Sequence, residues 1–376
     1  MRNTLFITNG STNHKILELC ASFSDKLIIL RNKKYEFEFG FELRQISKHK
    51  EKMRIYYAKS SLNLFKRARQ IVKKENINLI ITHCPISSNA GVYTKMFKKN
   101  RVIFIMCQDF IEYNKETIQN PLSKTAKTLM LHLLLRIACR QTDVVALSNY
   151  VKNKAEHYGA KNVNVIPVYG VDTKEFTKKK TNLRKKYKLE NKKVILTASR
   201  LSPEKGVDCT IRAMKEIIEK IPQATLVITA KGNYRPELEK LANKLKLNNH
   251  VVFTGEIPRK NMPEYYSMAD VFVMPSFKEG LGFSAAEAMA CETPVVASNV
   301  GGISDTVIHN KTGIMVEPRK ERAIAEAIIK LLEDKKLAKK LAENGRKHVM
   351  QNFEEHLVNK KFSEFVNNPQ PYSSQN

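Results

Sequence analysis

Two glutamates, Glu279 and Glu287, bracket a glycine turn, Gly280-Leu281-Gly282-Phe283. Glu279 precedes the turn, and Glu287 lies about one helical turn past the start of the segment that follows. Both carboxylates can therefore face whatever the turn holds. Such a turn offers backbone N–H groups and a helix N-terminus, an arrangement that welcomes an anion. A carboxylate accepts hydrogen bonds and donates none, so a pair of them beside a phosphate pocket suits a polyhydroxyl ligand rather than more phosphate. A nucleotide sugar combines these features, with hydroxyls on hexose and ribose and a diphosphate between. Isolated glutamates usually sit on solvated faces, so the reading depends on the elements around them.

Those elements form a βαβ unit. Val271-Phe272-Val273-Met274 is an apolar, β-branched run ended by Pro275, as expected of a buried strand. Phe283 to Ala290 consists mostly of good helix formers. Pro294-Val295-Val296-Ala297 returns as a strand, and Gly301-Gly302 breaks it.

The stretches Glu279-Gly280-Leu281-Gly282-Phe283, Glu287-Ala288-Met289-Ala290-Cys291, Thr293 to Ser298 and Gly301-Gly302-Ile303 resemble the signature of family 4 retaining glycosyltransferases, with the Glu-x7-Glu motif falling on Glu279 and Glu287. Weaker matches run from about Leu5 to Pro318. The resemblance implies an α/β protein of the GT-B fold: two Rossmann-like doubly wound parallel-sheet domains facing a central cleft. It assigns Glu279 to the sugar and Glu287 to ribose hydroxyls, with the amides of Gly280, Leu281, Gly282 and Phe283 on the diphosphate. Arg200 and Lys205, after the strand Val194–Ala198, become the anion clamp; alone, such a pair would be ordinary surface charge. Arg supplies paired donors and Lys a point charge. Glu256 and Ile257 hold the nucleotide base, largely through backbone atoms.

The sequence departs from the family in four places. Lys231-Gly232 replaces a more glycine-rich turn. Glu292 stands where glycine is usual, in the loop after the helix. The first turn, Asn9-Gly10-Ser11, has one glycine, Gly10, where paired glycines let the backbone approach donor and acceptor. After the fourth strand, Cys107-Gln108-Asp109 replaces the usual histidine; Gln108 or Asp109 could contact sugar or acceptor, or Asp109 could cap the next segment.

Continuous apolar strands alternating with helices indicate parallel sheets covered on both faces. By the resemblance, residues 1–170 are an N-terminal acceptor-binding domain, 191–350 the nucleotide-sugar domain and 351–368 a terminal helix crossing back to the first domain. Residues 171–190 read as a polar, basic linker with little to bury, and 369–376 as a disordered tail. Leu122 to Gln141 reads as a helix whose Leu/Met stripe belongs to the core.

The 376 residues carry a net charge of +28. Residues 1–200 hold 40 Lys+Arg against 15 Asp+Glu, so nearly all the excess lies there. The densest part, Arg44 to Lys74, includes Leu62, Phe65, Ala68 and Val72 at helical spacing; it is either a basic amphipathic helix for an anionic membrane or a solvated lysine face. No apolar run reaches the roughly 20 residues that span a bilayer, no secretory leader is evident, and the six cysteines lack CxxC spacing. The expectation is a cytoplasmic enzyme, peripheral on the inner face of the membrane if the basic half binds there. No two aspartates lie two residues apart, and the Glu-x-Glu pairs, Glu36/Glu38 and Glu237/Glu239, lie outside the site, so metal-independent transfer without a cofactor is expected. The partners expected are a nucleotide-sugar donor and a glycan or lipid-linked acceptor. Two alternatives stay open: an inactive GT-B partner protein, and a basic nucleic-acid-binding protein, which lacks any recognised motif.

Overall fold

The computed structural model describes residues 2–8, 14–32, 53–58, 60–111 and 121–368. Gly10, most of the basic stretch before Met53 and the tail 369–376 lie outside the described residues. The chain divides into two units: Met1–Tyr169 with Val358–Asn376, and Gly170–Leu357.

The first unit is built on a seven-stranded parallel sheet: β1 (Asn3–Thr8), β2 (Lys26–Asn32), β3 (Met53–Ala58), β4 (Leu79–Thr82), β5 (Arg101–Met106), β6 (Asp143–Ala146) and β7 (Val163–Val165). Their order is β3-β2-β1-β4-β5-β6-β7. The inner strands are buried without alternation, because helices cover both faces. Strand β3 escaped the sequence reading. It is an edge strand with Arg54 among its residues, so it lacks the apolar run that a central strand must have.

The terminal helix Glu355–Asn367 buries Val358, Phe362, Phe365 and Val366. From Val358 it is part of the first unit, where Phe362 meets Phe23 at 6.0 Å between ring centroids. The Arg101 guanidinium lies 4.8 Å from the Phe365 ring and donates to Phe365 O at 3.1 Å. Burying such aromatic side chains contributes about 1.5–3 kcal/mol each.

The second unit carries a six-stranded parallel sheet: β8 (Lys193–Ala198), β9 (Ala224–Thr229), β10 (Val251–Gly255), β11 (Val271–Met274), β12 (Val295–Ser298) and β13 (Ile314–Val316). The order is β10-β9-β8-β11-β12-β13. The chain leaves β8 in one direction through β9 and β10, then returns to β11 beside β8 and proceeds the other way. The gap between the ends of β8 and β11 is thus a topological switch point, where ligands of doubly wound sheets bind.

Two expectations need correction. Residues 171–190 are not a loose linker. Phe176 and Leu189 are buried, and Arg184 donates to Met268 O and Asp270 Oδ2, each at 2.9 Å. Nor is the apolar stripe of the helix Pro121–Gln141 all core. Leu135, Ala138 and Cys139 are buried, but Leu129, Met130, Leu133 and Ile137 are exposed. The helix is apolar on two faces, and composition cannot tell which faces inward.

Candidate functional site

The site grows from the loops after β8 and β11 at the switch point. After β8, residues Ser199 to Gly206 fold into a short 3-10 turn, Pro203–Lys205, closed by Gly206 in the left-handed region at φ 64°. A Cβ at Gly206 would stand 2.2 Å from Pro275 O, so only glycine allows the two loops to meet. Phe277 N then donates to Glu204 O at 2.8 Å. The loop after β11 is backed in turn by Gly301-Gly302: Gly302 N donates to Glu279 O at 3.1 Å. A Cβ at Gly301 would lie 2.0 Å from that same oxygen.

These contacts bring two of the predicted residues together. Lys205 Nζ lies 2.5 Å from Glu279 Oε1, with side chains 16% and 14% exposed. The Ser276 hydroxyl donates to the same carboxylate oxygen at 3.2 Å. Burial works to raise the pKa of Glu204, but the Ser202 hydroxyl, a backbone hydrogen bond, Lys205 and Arg200 outweigh it and hold that carboxyl below its usual range. Arg200 reaches out to solvent, 66% exposed, 3.8 Å from Glu204.

Gly282 caps the helix Phe283–Ala290 at φ 94° and brings no capping side chain. An anion there would meet the first turn of the helix without competition from a cap. The helix itself is small-residue because it is sandwiched: Ala285, Ala286, Ala288 and Ala290 are buried, and a Cβ at Gly345 would stand 2.9 Å from Met289 Cγ. Its C-terminus explains the glycine that this chain lacks. Thr293 N donates to Ala288 O and Glu292 N to Met289 O, each at 3.0 Å, with Glu292 at φ 56°. That is a Schellman motif, whose left-handed position favours glycine.

A cavity of about 730 Å³ opens at the carboxyl ends of β8, β9 and β10. Its walls include Arg200, Glu256, Ile257 and Glu287 from the predicted set. Glu287 is held from two sides: Arg259 Nη2 donates at 2.7 Å and the Tyr266 hydroxyl at 3.0 Å. Burial, together with Glu287, pushes the Tyr266 phenol well above its ordinary range, so it stays a donor. Arg259 also lies over the Phe176 ring at 4.6 Å. The Glu256 side chain pairs with Lys231 at 2.6 Å, both largely exposed.

The sequence reading missed Arg259 and Tyr266. The turn Lys231-Gly232, which by resemblance stands where the family is richer in glycine, lines the cavity with Ala230. A Cβ at Gly232 would lie 2.1 Å from Leu201 O, and Ala230 adopts φ 139° on the cavity wall, a conformation costly for any residue but glycine.

Glu279 and Lys205 are not on that wall, and Gly280, Leu281, Gly282 and Phe283 adjoin it only through Ser284. In the first unit, Asp109 is spent internally: Oδ1 accepts from Ile111 N at 3.0 Å and Oδ2 pairs with Lys154 at 3.0 Å. The capping alternative therefore accounts for it. Gln108 sits half-buried just past β5. Among the described residues no group of three or more His, Cys, Asp or Glu side chains is placed to hold a metal ion.

Comparison with known proteins places this arrangement. The chain resembles HepE from Anabaena, solved in complex with UDP, at a TM-score of 0.81 over 97% of this chain and 99% of that one, with 21% identity. This defines the class: an α/β protein with the two Rossmann-like, parallel-sheet domains of GT-B glycosyltransferases.

Residues 179–348 match the family model described as Glycosyl transferases group 1. A GDP-mannose-dependent alpha-(1-6)-phosphatidylinositol monomannoside mannosyltransferase of Mycobacterium tuberculosis is 35% identical over 238 residues, 60% of this chain and 62% of that protein. The alpha-D-kanosaminyltransferase of Streptomyces kanamyceticus is 27% identical over 77% of both chains. The matched segment thus spans somewhat under two thirds of the mycobacterial relative's length. These matches make the chain similar to glycosyltransferases over its second unit and part of its first.

Proposed function

We propose that the protein is a retaining glycosyltransferase that moves a hexose or related sugar from a nucleotide-diphosphate sugar to a hydroxyl of a glycan or lipid-linked saccharide. The observation that carries this reading is the meeting of Lys205 and Glu279 at the switch point, beside a cavity bordered by Arg200 and Glu287. The donor diphosphate lies against Arg200, Lys205 and the first turn of the helix Phe283–Ala290. Glu287, oriented by Arg259 and Tyr266, accepts from ribose hydroxyls. Glu279 accepts from sugar hydroxyls and positions the anomeric carbon.

As the glycosidic bond breaks, negative charge grows on the departing diphosphate. Cations and a helix N-terminus aimed there lower the barrier. We propose that protein charge alone does this, without a divalent ion, and that the sugar is delivered to the face from which the diphosphate leaves. The Glu-x7-Glu spacing and its likeness to family 4 support the retaining mode. Acceptor recognition is assigned to the first unit, and the site of action to the cytoplasm.

The donor is tested with a panel led by GDP-mannose and UDP-glucose, since one relative is named for GDP-mannose and a structural neighbour binds UDP. Release of nucleoside diphosphate from at least one donor is expected, surviving excess chelator. No donor turned over or bound by calorimetry would sink the reading. Activity lost in chelator and restored only by a divalent ion would sink its metal-independent part.

A further inference from the structure

The helix Pro121–Gln141 is longer than the sheet beneath it needs. Its 21 residues extend about 32 Å, whereas the six residues of β5 extend about 20 Å. The surplus is visible in burial: no residue from Thr125 to Leu134 is buried, and the buried face begins at Leu135. Over that surplus, Leu129 is 71%, Met130 55% and Leu133 58% exposed, and Ile137 extends the row. At 100° per residue, Leu129, Leu133 and Ile137 recur at i, i+4 and i+8 and Met130 lies 100° from Leu129, so these four fall within one arc. Exposed Arg136 borders the arc on one side and exposed Lys127 on the other. Among the described residues, no other helix displays such a row of large apolar side chains to solvent.

The helices beside this stripe carry charge of one sign. The segments 60–74, 85–100 and 121–141 contain twelve Lys and Arg and no Asp or Glu. They include three helices packed in a row: Ser61–Lys74 against Pro85–Thr94, and the latter against Pro121–Gln141. Asn89 Nδ2 donates to Leu134 O at 2.8 Å, and Lys95 reaches Gln141 O. Met96, 76% exposed, follows Lys95.

We infer that this layer is a docking face for an anionic lipid bilayer, with Leu129, Met130, Leu133 and Ile137 entering the headgroup–acyl boundary and the flanking cations meeting lipid phosphates. An apolar stripe rimmed by Lys and Arg is the pattern of a helix that lies in the interface. Nucleic acid would use the cations but gain nothing from four exposed aliphatic side chains, since its interfaces are polar. No helix among the described residues is long and apolar enough to cross a membrane, so the contact is lateral. The inference stands apart from the donor site, which is built from other residues in the other unit.

Vesicle co-sedimentation of the full chain tests it. Vesicles of phosphatidylglycerol and phosphatidylcholine should bind the protein, and pure phosphatidylcholine should bind it weakly. The triple variant Leu129→Ser, Leu133→Ser, Ile137→Ser should lose about tenfold or more in partitioning, because each buried methylene is lost from the boundary. Lys127→Gln with Arg136→Gln should lose about fivefold per cation and flatten the salt dependence. Both variants should keep the wild-type melting temperature and donor hydrolysis, which separates failure here from failure of the transferase reading. Equal binding to neutral and anionic vesicles, or anionic binding untouched by the serine substitutions, would overturn the inference. So would a concentration-dependent dimer abolished by them in the absence of vesicle binding, which would give the face to a second copy.

Discussion

Lys205 Nζ and Glu279 Oε1 lie 2.5 Å apart although 74 residues separate them in sequence. Without a donor, the cation assigned to the diphosphate neutralises the carboxylate assigned to the sugar. Each protects the other from being a lone, largely buried charge. A diphosphate arriving at Lys205 would compete for the ammonium and release Glu279 to the sugar.

The pair predicts opposite effects from its two halves. Glu279→Gln should leave nucleoside diphosphate binding intact or tighter, because Lys205 is freed, while transfer falls about a hundredfold or more. Lys205→Ala should weaken diphosphate binding and cost about 1–2 kcal/mol of stability, since Glu279 loses its charged partner. Calorimetric titration with UDP and GDP, beside steady-state rates, reads both. Equal loss of binding in the two variants would contradict the division of roles.

Tyr266→Phe removes one of the two donors to Glu287 and leaves Arg259 in place. The phenol is 1% exposed, and loss of its charge-assisted bond should cost about 1.5 kcal/mol. If Glu287 holds the ribose, the donor KM should rise with kcat nearly unchanged, as expected when binding common to ground and transition states is lost. A drop in kcat at constant KM would place Glu287 in the chemical step instead.

Two left-handed positions should respond in opposite directions. Gly301 at φ 54° has no room for a methyl group against Glu279 O. Gly301→Ala should therefore destabilise by about 3 kcal/mol and displace the Glu279 loop, lowering turnover. Glu292→Gly should relieve a strained residue at φ 56° and stabilise by up to about 1 kcal/mol, less what the Arg346 ion pair at 3.6 Å contributes. Thermal melts of the two variants decide it.

His348 provides a pH test. Burial lowers its pKa below the ordinary 6.5, against the raising effect of a bond to Asp305 O. The unfolded chain therefore takes up a proton first as pH falls. Stability from this group is fully present above 6.5 and is lost as pH drops through the lower, folded value. His348→Gln should flatten the melting temperature between pH 7 and pH 5. A steeper fall in the variant would contradict the sign.

The second unit was the more legible part of the chain. The helix Phe283–Ala290 and the strand Val271–Met274 run between the residues read from the sequence. Local signals set those limits, a proline, a glycine turn and runs of alanine or β-branched residues, and local signals survive in any tertiary setting. Glu279 and Glu287 stood out by their places around a glycine turn, whereas Arg200 and Lys205 were assigned through the family resemblance, since alone such a pair is ordinary surface charge. What sequence spacing does not contain is distance across the fold. That Arg259 and Tyr266 converge on Glu287, that Asp109 is spent on Lys154, and that β3 forms a sheet edge all depend on strand order. The helix Pro121–Gln141 is the clearest case: with apolar residues on two faces, its sequence permits burial of either, and only the reach of the sheet beneath decided that Leu135 goes inside while Leu129 meets the solvent.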